Sequence, residues 1–379
     1  MDIKRFSVLF NASNLHGGGG IQVAASFVHE LLALDVRDFD FVVWVSDEVA
    51  DSLRLLGHDL DSIDCIEVNN SYGLKALLSP LNFKLARFDV VFSVFGPNYY
   101  LRSTYVDIVG FAQAWIVDFS AYFTLSFVDR LWAKIKFSIQ KFFFKFSDVF
   151  VVELDHVRSK LCERKIAPPD SIHVVNNCIS SLYREPWLWE DVTFPFAGDG
   201  FRVGCLGRDY VHKNLCILPV VSSILKERYG LEVRFFVTLN EREWSLKSDG
   251  FKDAVCNVGE LSITQCPSFY RYMDAVFFPS FLECFSATPL EAMAMGKPLF
   301  ASRRDFNKDI CKDYAFYFDP ESPEDAAGVI ARYIKYVHGQ DSQRLQVASE
   351  YAFRFSSAKE RAEKYVNIVR DCCLRIAKS

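Results

Sequence analysis

The 379-residue chain has eleven cysteines but no Cys-x-x-Cys pair, and none of its seven histidines falls into a cluster with metal-ligand spacing. Zinc-ribbon and thioredoxin-type motifs are therefore missing, and the expectation is a chain of reduced thiols with no bound metal or other cofactor. Cys372 and Cys373 are adjacent near the C-terminus and read as helix residues rather than a redox pair. No apolar run reaches the roughly 18 residues of a transmembrane helix, and no signal-like segment precedes the first strand candidate, so the expected location is cytoplasmic. The net charge of −5 gives no reason to expect nucleic acid, and any attraction for anions has to be local.

What is present is apolar: half of the residues are hydrophobic, and 36 are phenylalanine. Short apolar runs alternate with segments of helical period: FSVLFNA (6–12), a helix at 21–34, FDFVVWVS (39–46), FDVVFSVF (88–95), VDIVGFAQ (106–113), DVFVVE (148–153) and IHVVNN (172–177). Continuous rather than alternating apolar runs are the mark of buried parallel strands, so this half reads as a doubly wound α/β domain. After a stretch rich in Pro, acidic and aromatic residues, the pattern restarts with FRVGCLGR (201–208), a helix at 214–229, LEVRFFVTL (231–239), AVFFPS (275–280) and KPLFAS (297–302). The expected organisation is an N-terminal domain over 1–185, a linker over 186–200 and a C-terminal domain over 201–355. A helix over 356–379 either caps one domain or crosses back to the first. Ligands of such sheets bind beyond the C-terminal strand ends, which makes the cleft between the halves the expected site.

Four consecutive glycines, 17–20, stand between the first strand and the first helix. A dinucleotide loop would need G-x-G-x-x-G, and Gln22 stands where the third glycine should be.

The densest chemistry lies in PSFLECFSATPLEAMAMGKPLFAS (279–302). Thr288, Pro289 and Glu291 suit the N-cap, N1 and N3 positions of a helix stopped at Gly296, so Glu291 reads equally as a capping-box carboxylate. Glu283 stands eight residues before Glu291. Free amides from Ser286 to Thr288 would face an anion.

This E-x7-E segment resembles the donor-site signature of glycosyltransferase family 4, a retaining family with the GT-B fold of two Rossmann-like domains. LGRDYVHKN (206–214) is similar to that family's Gly-Arg loop with its following Lys, YRYMDAVFFPS (270–280) to the segment leading into the two glutamates, and GGGGIQ to its N-terminal Gly-rich loop. The resemblance implies a metal-independent retaining transfer from a nucleotide-diphosphate sugar to a hydroxyl of a glycan or lipid-linked oligosaccharide, as in bacterial cell-surface polysaccharide synthesis. It further implies that Glu291 holds the nucleotide ribose, that Glu283 binds the transferred sugar, and that the amides of Phe285, Ser286, Ala287 and Thr288 cradle the distal phosphate. Arg208 and Lys213 would clamp the diphosphate in place of a metal. Gly19 and Gly20 would approach the donor from the opposite wall, with Gln22 near the acceptor. Cys284 and Ser286 depart from the glycines common in the family, and Gln113 stands where the family commonly has a histidine touching the sugar. Gln113 can donate a hydrogen bond but cannot titrate; Asp118 would share its role toward the acceptor. A non-catalytic GT-B binding protein is the alternative.

The phenylalanine excess concentrates in DRLWAKIKFSIQKFFFKFSD (129–148). At 100° per residue, Arg130, Lys134, Lys141 and Lys145 share a stripe. Leu131, Trp132, Ile135, Ile139, Phe142, Phe143 and Phe146 fill the opposite arc, which is expected to be buried, while Phe137 and Phe144 are expected on the wet side beside the lysines. Aromatics interleaved with lysines make an anionic membrane surface a candidate partner through 129–146.

Overall fold

The structure, a computed structural model, describes residues 5–99, 104–119, 121–195 and 200–378; positions 196–199 of the expected linker lie outside the described residues. The chain forms two compact units, one of Met1–Asp118, Phe127–Asn177 and Ser356–Ser379, the other of Phe119–Ser126 and Cys178–Phe355.

The first unit is built on a seven-stranded sheet: β1 (Phe6–Ala12), β2 (Phe39–Val45), β3 (Ile66–Val68), β4 (Val90–Ser93), β5 (Val106–Gly110), β6 (Val149–Val152) and β7 (Ile172–Val174). Their order is β3-β2-β1-β4-β5-β6-β7 and every pairing is parallel. The second unit carries six: β8 (Phe201–Cys205), β9 (Val233–Val237), β10 (Val255–Asn257), β11 (Ala275–Phe278), β12 (Leu299–Ser302) and β13 (Phe316–Phe318), in the parallel order β10-β9-β8-β11-β12-β13. Strands β4, β6, β11 and β12 are buried at every residue. Helices cover both faces of such a sheet, so a strand without polar alternation is the form the sequence must take. The two α/β halves are as the apolar runs predict. The strands β3 and β13 have no counterpart in that pattern.

Aromatic packing joins distant segments in each core. Tyr365, on the helix Ala358–Ile376, packs edge-on to Phe27 of the helix Gly19–Ala33 with centroids 5.2 Å apart, and lies 4.9 Å from Phe92 of β4. In the second unit Phe277 of β11 stacks on Phe318 of β13 at 4.7 Å. Rings of this size bury the most area per residue and dominate core energetics.

One element packs the other way round from its sequence expectation. The helix Phe127–Phe144 turns Phe144 fully inward, between Phe111 and Phe150, and stacks Phe137 on Trp115. Of the arc expected in the core, Leu131, Trp132, Ile135, Ile139 and Phe142 are exposed, while Phe143 is buried as expected and Phe146 is half-buried. A helical wheel shows that an apolar arc exists, and it cannot show which arc the neighbouring sheet takes. Here the inward arc is set by Phe143 and Phe144, where the chain closes on β6.

Candidate active site

Strand order changes direction at β1/β4 in the first sheet and at β8/β11 in the second. Side chains beyond the carboxyl ends of strands at such a point converge, which is why ligands of open parallel sheets bind there. In the second unit the loop leaving β8 carries Gly207, Arg208 and Lys213, and the loop leaving β11 carries Glu283 and the segment 285–288. Gly207 has φ +147°, a conformation that a side chain would strain, and its amide donates to Thr238 Oγ1 at 3.1 Å. The helix expected from 214 begins only at Leu218, after two short 3-10 turns. Asn214 breaks the chain there: it is left-handed, with φ +55°, and its side-chain amide donates to the Pro320 carbonyl at 2.9 Å. That kink sets Lys213 across from the loop after β11.

Lys213 Nζ lies 2.7 Å from Glu283 Oε1, with both side chains more than four-fifths covered. The same carboxylate oxygen accepts from Ser280 Oγ at 2.7 Å, and His212 Nε2 stands 4.0 Å away. Burial holds the His212 imidazole below its ordinary pKa, which favours the neutral ring. Lys213 Nζ also sits over the Phe278 ring, 5.2 Å from its centroid. A charge pair this covered is held by its mutual geometry, and stripping either partner strands the other in a poorly solvated place.

Glu291 takes a different set of partners. Thr288 is the first residue of the helix Thr288–Ala294, and Ala287, already in the right-handed region, occupies the N-cap without a side-chain bond. The capping box expected for Thr288 and Glu291 is therefore not formed; the helix starts one residue early for it. Glu291 instead accepts a 2.8 Å hydrogen bond from the Tyr270 hydroxyl. Desolvation pushes the Glu291 carboxyl above its usual range, against the opposing influence of the Tyr270 and Tyr183 hydroxyls and the Lys213 charge. Both phenols are held protonated, mainly by burial; Tyr270 donates to that carboxylate, whereas the buried Tyr183 hydroxyl makes no hydrogen bond among the described residues.

Arg208 is not part of the Lys213–Glu283 pair. Its Nε meets Glu243 Oε1 at 2.8 Å and its Nη1 meets Glu260 Oε1 at 3.1 Å. Arg208, Lys213, Gly207 and Phe278 nevertheless line one small pocket at the strand ends. Phe285 and Ala287 are half-buried and Ser286 and Thr288 buried in the loop and first helical residue that follow Glu283.

In the first unit Gly19 and Gly20 are the first two residues of the helix Gly19–Ala33. The glycine that needs its freedom is the preceding Gly18, at φ +71°. Gln22 is exposed on that helix. Gln113 and Asp118 flank the single helical turn Ala114–Val117 just past β5: the Gln113 carbonyl accepts from the Ile116 amide at 3.0 Å, and the Asp118 amide donates to Ala114 at 2.9 Å. The sequence reading missed His212, Tyr270, Tyr183, Glu243 and Glu260. His212 could have been suspected from its place beside Lys213; Tyr270, 21 residues before Glu291, has no spacing signal that reveals it.

Residues 239–350 match the family model described as Glycosyl transferases group 1. The span contains Glu283, Glu291 and the loop between them, while Arg208 and Lys213 precede it. No curated protein matches the chain by sequence. Among solved structures, HepE from Anabaena in complex with UDP and glucose aligns over 97% of this chain and 100% of its own, at 14% identity and a TM-score of 0.66. A glycosyltransferase from Rickettsia africae aligns over 98% and 99%, at 14% identity and 0.65. WaaG, a glycosyltransferase involved in lipopolysaccharide biosynthesis, aligns over 95% and 99%, at 13% identity and 0.63. At these identities the likeness is one of fold: two Rossmann-like, parallel-sheet units of the GT-B architecture. By its matched domain on that fold, the chain is classed as a glycosyltransferase.

Proposed function

We propose that this chain transfers a sugar, with retention of configuration and without a bound metal, from a nucleotide-diphosphate sugar to a hydroxyl of a lipid-linked glycan in cell-surface polysaccharide synthesis. The observation that carries the reading is the Lys213–Glu283 pair at the β8/β11 switch point, with Glu291 eight residues on and held by Tyr270. HepE is described with UDP and glucose, and WaaG with lipopolysaccharide synthesis; both support the choice of substrate class.

In this reading Glu291 accepts hydroxyls of the ribose, with Tyr270 fixing its carboxylate. Glu283 accepts hydroxyls of the transferred sugar. Lys213 and Arg208 face the diphosphate, whose charge grows as the sugar–phosphate bond breaks; fixed cations there stabilise the leaving group as a metal would. The departing phosphate oxygen takes the proton of the acceptor hydroxyl as that oxygen bonds to the anomeric carbon on the same face. The amides of 285–288 serve the distal phosphate, and Gly19 and Gly20 also serve the donor. Gln22, Gln113 and Asp118 serve the acceptor and sugar. Contact with an anionic membrane through 129–146 brings the chain to its acceptor.

Lys213 is engaged by Glu283 and Arg208 by Glu243 and Glu260, so a diphosphate would compete with these carboxylates for both cations. Thermal-shift screening with UDP, GDP, dTDP and ADP tests the reading, since a ligand that binds only the native state raises its stability. One diphosphate should raise the midpoint in the intact chain and much less in Lys213→Ala. No shift with any of the four would overturn the reading.

A further inference from the structure

The helix Phe127–Phe144 leaves an apolar arc uncovered. Phe127 is 81% and Trp132 67% exposed, and Leu131, Ile135, Ile139 and Phe142 are exposed with them. At 100° per residue these six fall within about 140° of one face. Apolar patches of this kind are uncommon on a soluble surface without a partner. Lys134, Lys141 and Arg130 border the arc on one side and Lys136 on the other.

A second exposed segment lies on the same unit. Between β3 and β4, Leu78 is 91% and Phe83 86% exposed, with Leu74 and Leu77 also exposed. The two segments meet in one hydrophobic cluster: Leu81 and Leu85 of the short helix Leu81–Leu85 share it with Phe146, two residues past the long helix, around Phe88 and Tyr105. Charge separates this surface from the rest of the chain. Residues 127–147 contain five Lys and Arg against the single acid Asp129, and residues 71–87 contain three and no acid, although the chain as a whole carries −5.

We propose that these two segments form one docking surface for the headgroup zone of an anionic bilayer, with Trp132, Phe127 and Phe83 entering the interface and the flanking lysines meeting lipid phosphates. Rings at the headgroup level with cations around them are what an interfacial helix presents, and each cation near an anionic surface adds attraction. Among the described residues no helix is long and apolar enough to cross a membrane, so the contact lies in the interface. The proposal extends the lipid-linked acceptor reading and rests on it for its purpose only; the docking itself is independent of sugar transfer.

The test is co-sedimentation of the full chain with vesicles of phosphatidylcholine alone and of phosphatidylcholine mixed with phosphatidylglycerol. The chain should pellet with the mixed vesicles and release as salt rises. Trp132→Glu with Ile135→Glu, and separately Lys134→Glu with Lys141→Glu and Lys145→Glu, should each lower binding by about tenfold or more, and Leu78→Glu with Phe83→Glu should lower it too. All these side chains are at least partly exposed, so unchanged circular dichroism is expected, and the three variants do not share a fold risk. Failure of the intact chain to pellet with mixed vesicles overturns the proposal, as does equal pelleting of any of the three variants. A concentration-dependent dimer that Trp132→Glu with Ile135→Glu dissolves, without vesicle binding, overturns it in favour of a second copy of the chain. The nucleotide thermal shift, measured on the same variants, separates the two ideas: a shift without vesicle binding sinks docking alone, and vesicle binding without any shift sinks sugar transfer alone.

Discussion

Lys213 Nζ and Glu283 Oε1 are 2.7 Å apart in a setting where each side chain is less than one-fifth exposed. Removing one partner leaves the other charged, covered and unpaired. Lys213→Ala and Glu283→Ala should each destabilise the chain by about 1–3 kcal/mol, and the double variant by clearly less than the sum, because it strands no charge. Urea denaturation of the four proteins checks this; strict additivity would show that the pair does not couple.

Tyr270 donates to Glu291 at 2.8 Å. Tyr270→Phe keeps the ring in its core position and removes only the hydroxyl. It should weaken nucleotide binding by about 3- to 10-fold, the worth of one ordinary hydrogen bond, with little loss of stability beyond that bond. Calorimetric titration with the responding diphosphate measures it, and unchanged affinity would place Glu291 outside the nucleotide site.

Arg208 is occupied by Glu243 and Glu260. Glu260 is the more exposed of the two carboxylates, so Glu260→Gln should leave the fold unchanged and remove a competitor for the guanidinium. Diphosphate affinity should rise by a few-fold at low salt, whereas Arg208→Ala should lower it. Weaker binding by Glu260→Gln would mean that Glu260 positions Arg208 rather than competes for it.

The buried Glu153 offers a pH test remote from the site. Asn177 links it to the helix Ala358–Ile376: the Asn177 amide donates to Glu153 Oε1 at 2.8 Å and its oxygen accepts from Arg361. Burial pushes the Glu153 carboxyl up to about 7 despite Arg361 and Asn177. The folded chain then keeps a proton that the unfolded chain, with a pKa near 4.5, has released. Stability from this group is full below about pH 4.5 and is lost as pH rises toward 7. Differential scanning calorimetry should show the intact chain losing midpoint temperature over that window relative to Glu153→Gln; parallel profiles would exclude a raised Glu153.

Much of the fold was legible because buried parallel strands announce themselves. FSVLFNA coincides with β1 residue for residue, and the other long runs contain their strands with a few extra residues at one or both ends. β3 and β13 were missed, although β7, also three residues long, lies within IHVVNN. Glu283 and Lys213 could be singled out from local motifs, but their pairing depends on the kink at Asn214, which apolar periodicity overran. The capping role considered for Glu291 failed on a shift of one residue, and its partner Tyr270 comes from a separate element. The helix Phe127–Phe144 was legible as amphipathic and illegible in orientation, because the inward-facing Phe144 lies beside the lysine stripe, on the side that the charges mark as wet.

The central claim is that Glu283 serves transfer from a nucleotide-diphosphate sugar, and it is tested most directly by following label from UDP-, GDP-, dTDP- and ADP-sugars into lipid-extractable glycan, with the intact chain and Glu283→Ala side by side. The account predicts label from one donor class with the intact chain and none above background with Glu283→Ala, at equal folded protein by circular dichroism. Equal incorporation by the two proteins would contradict it.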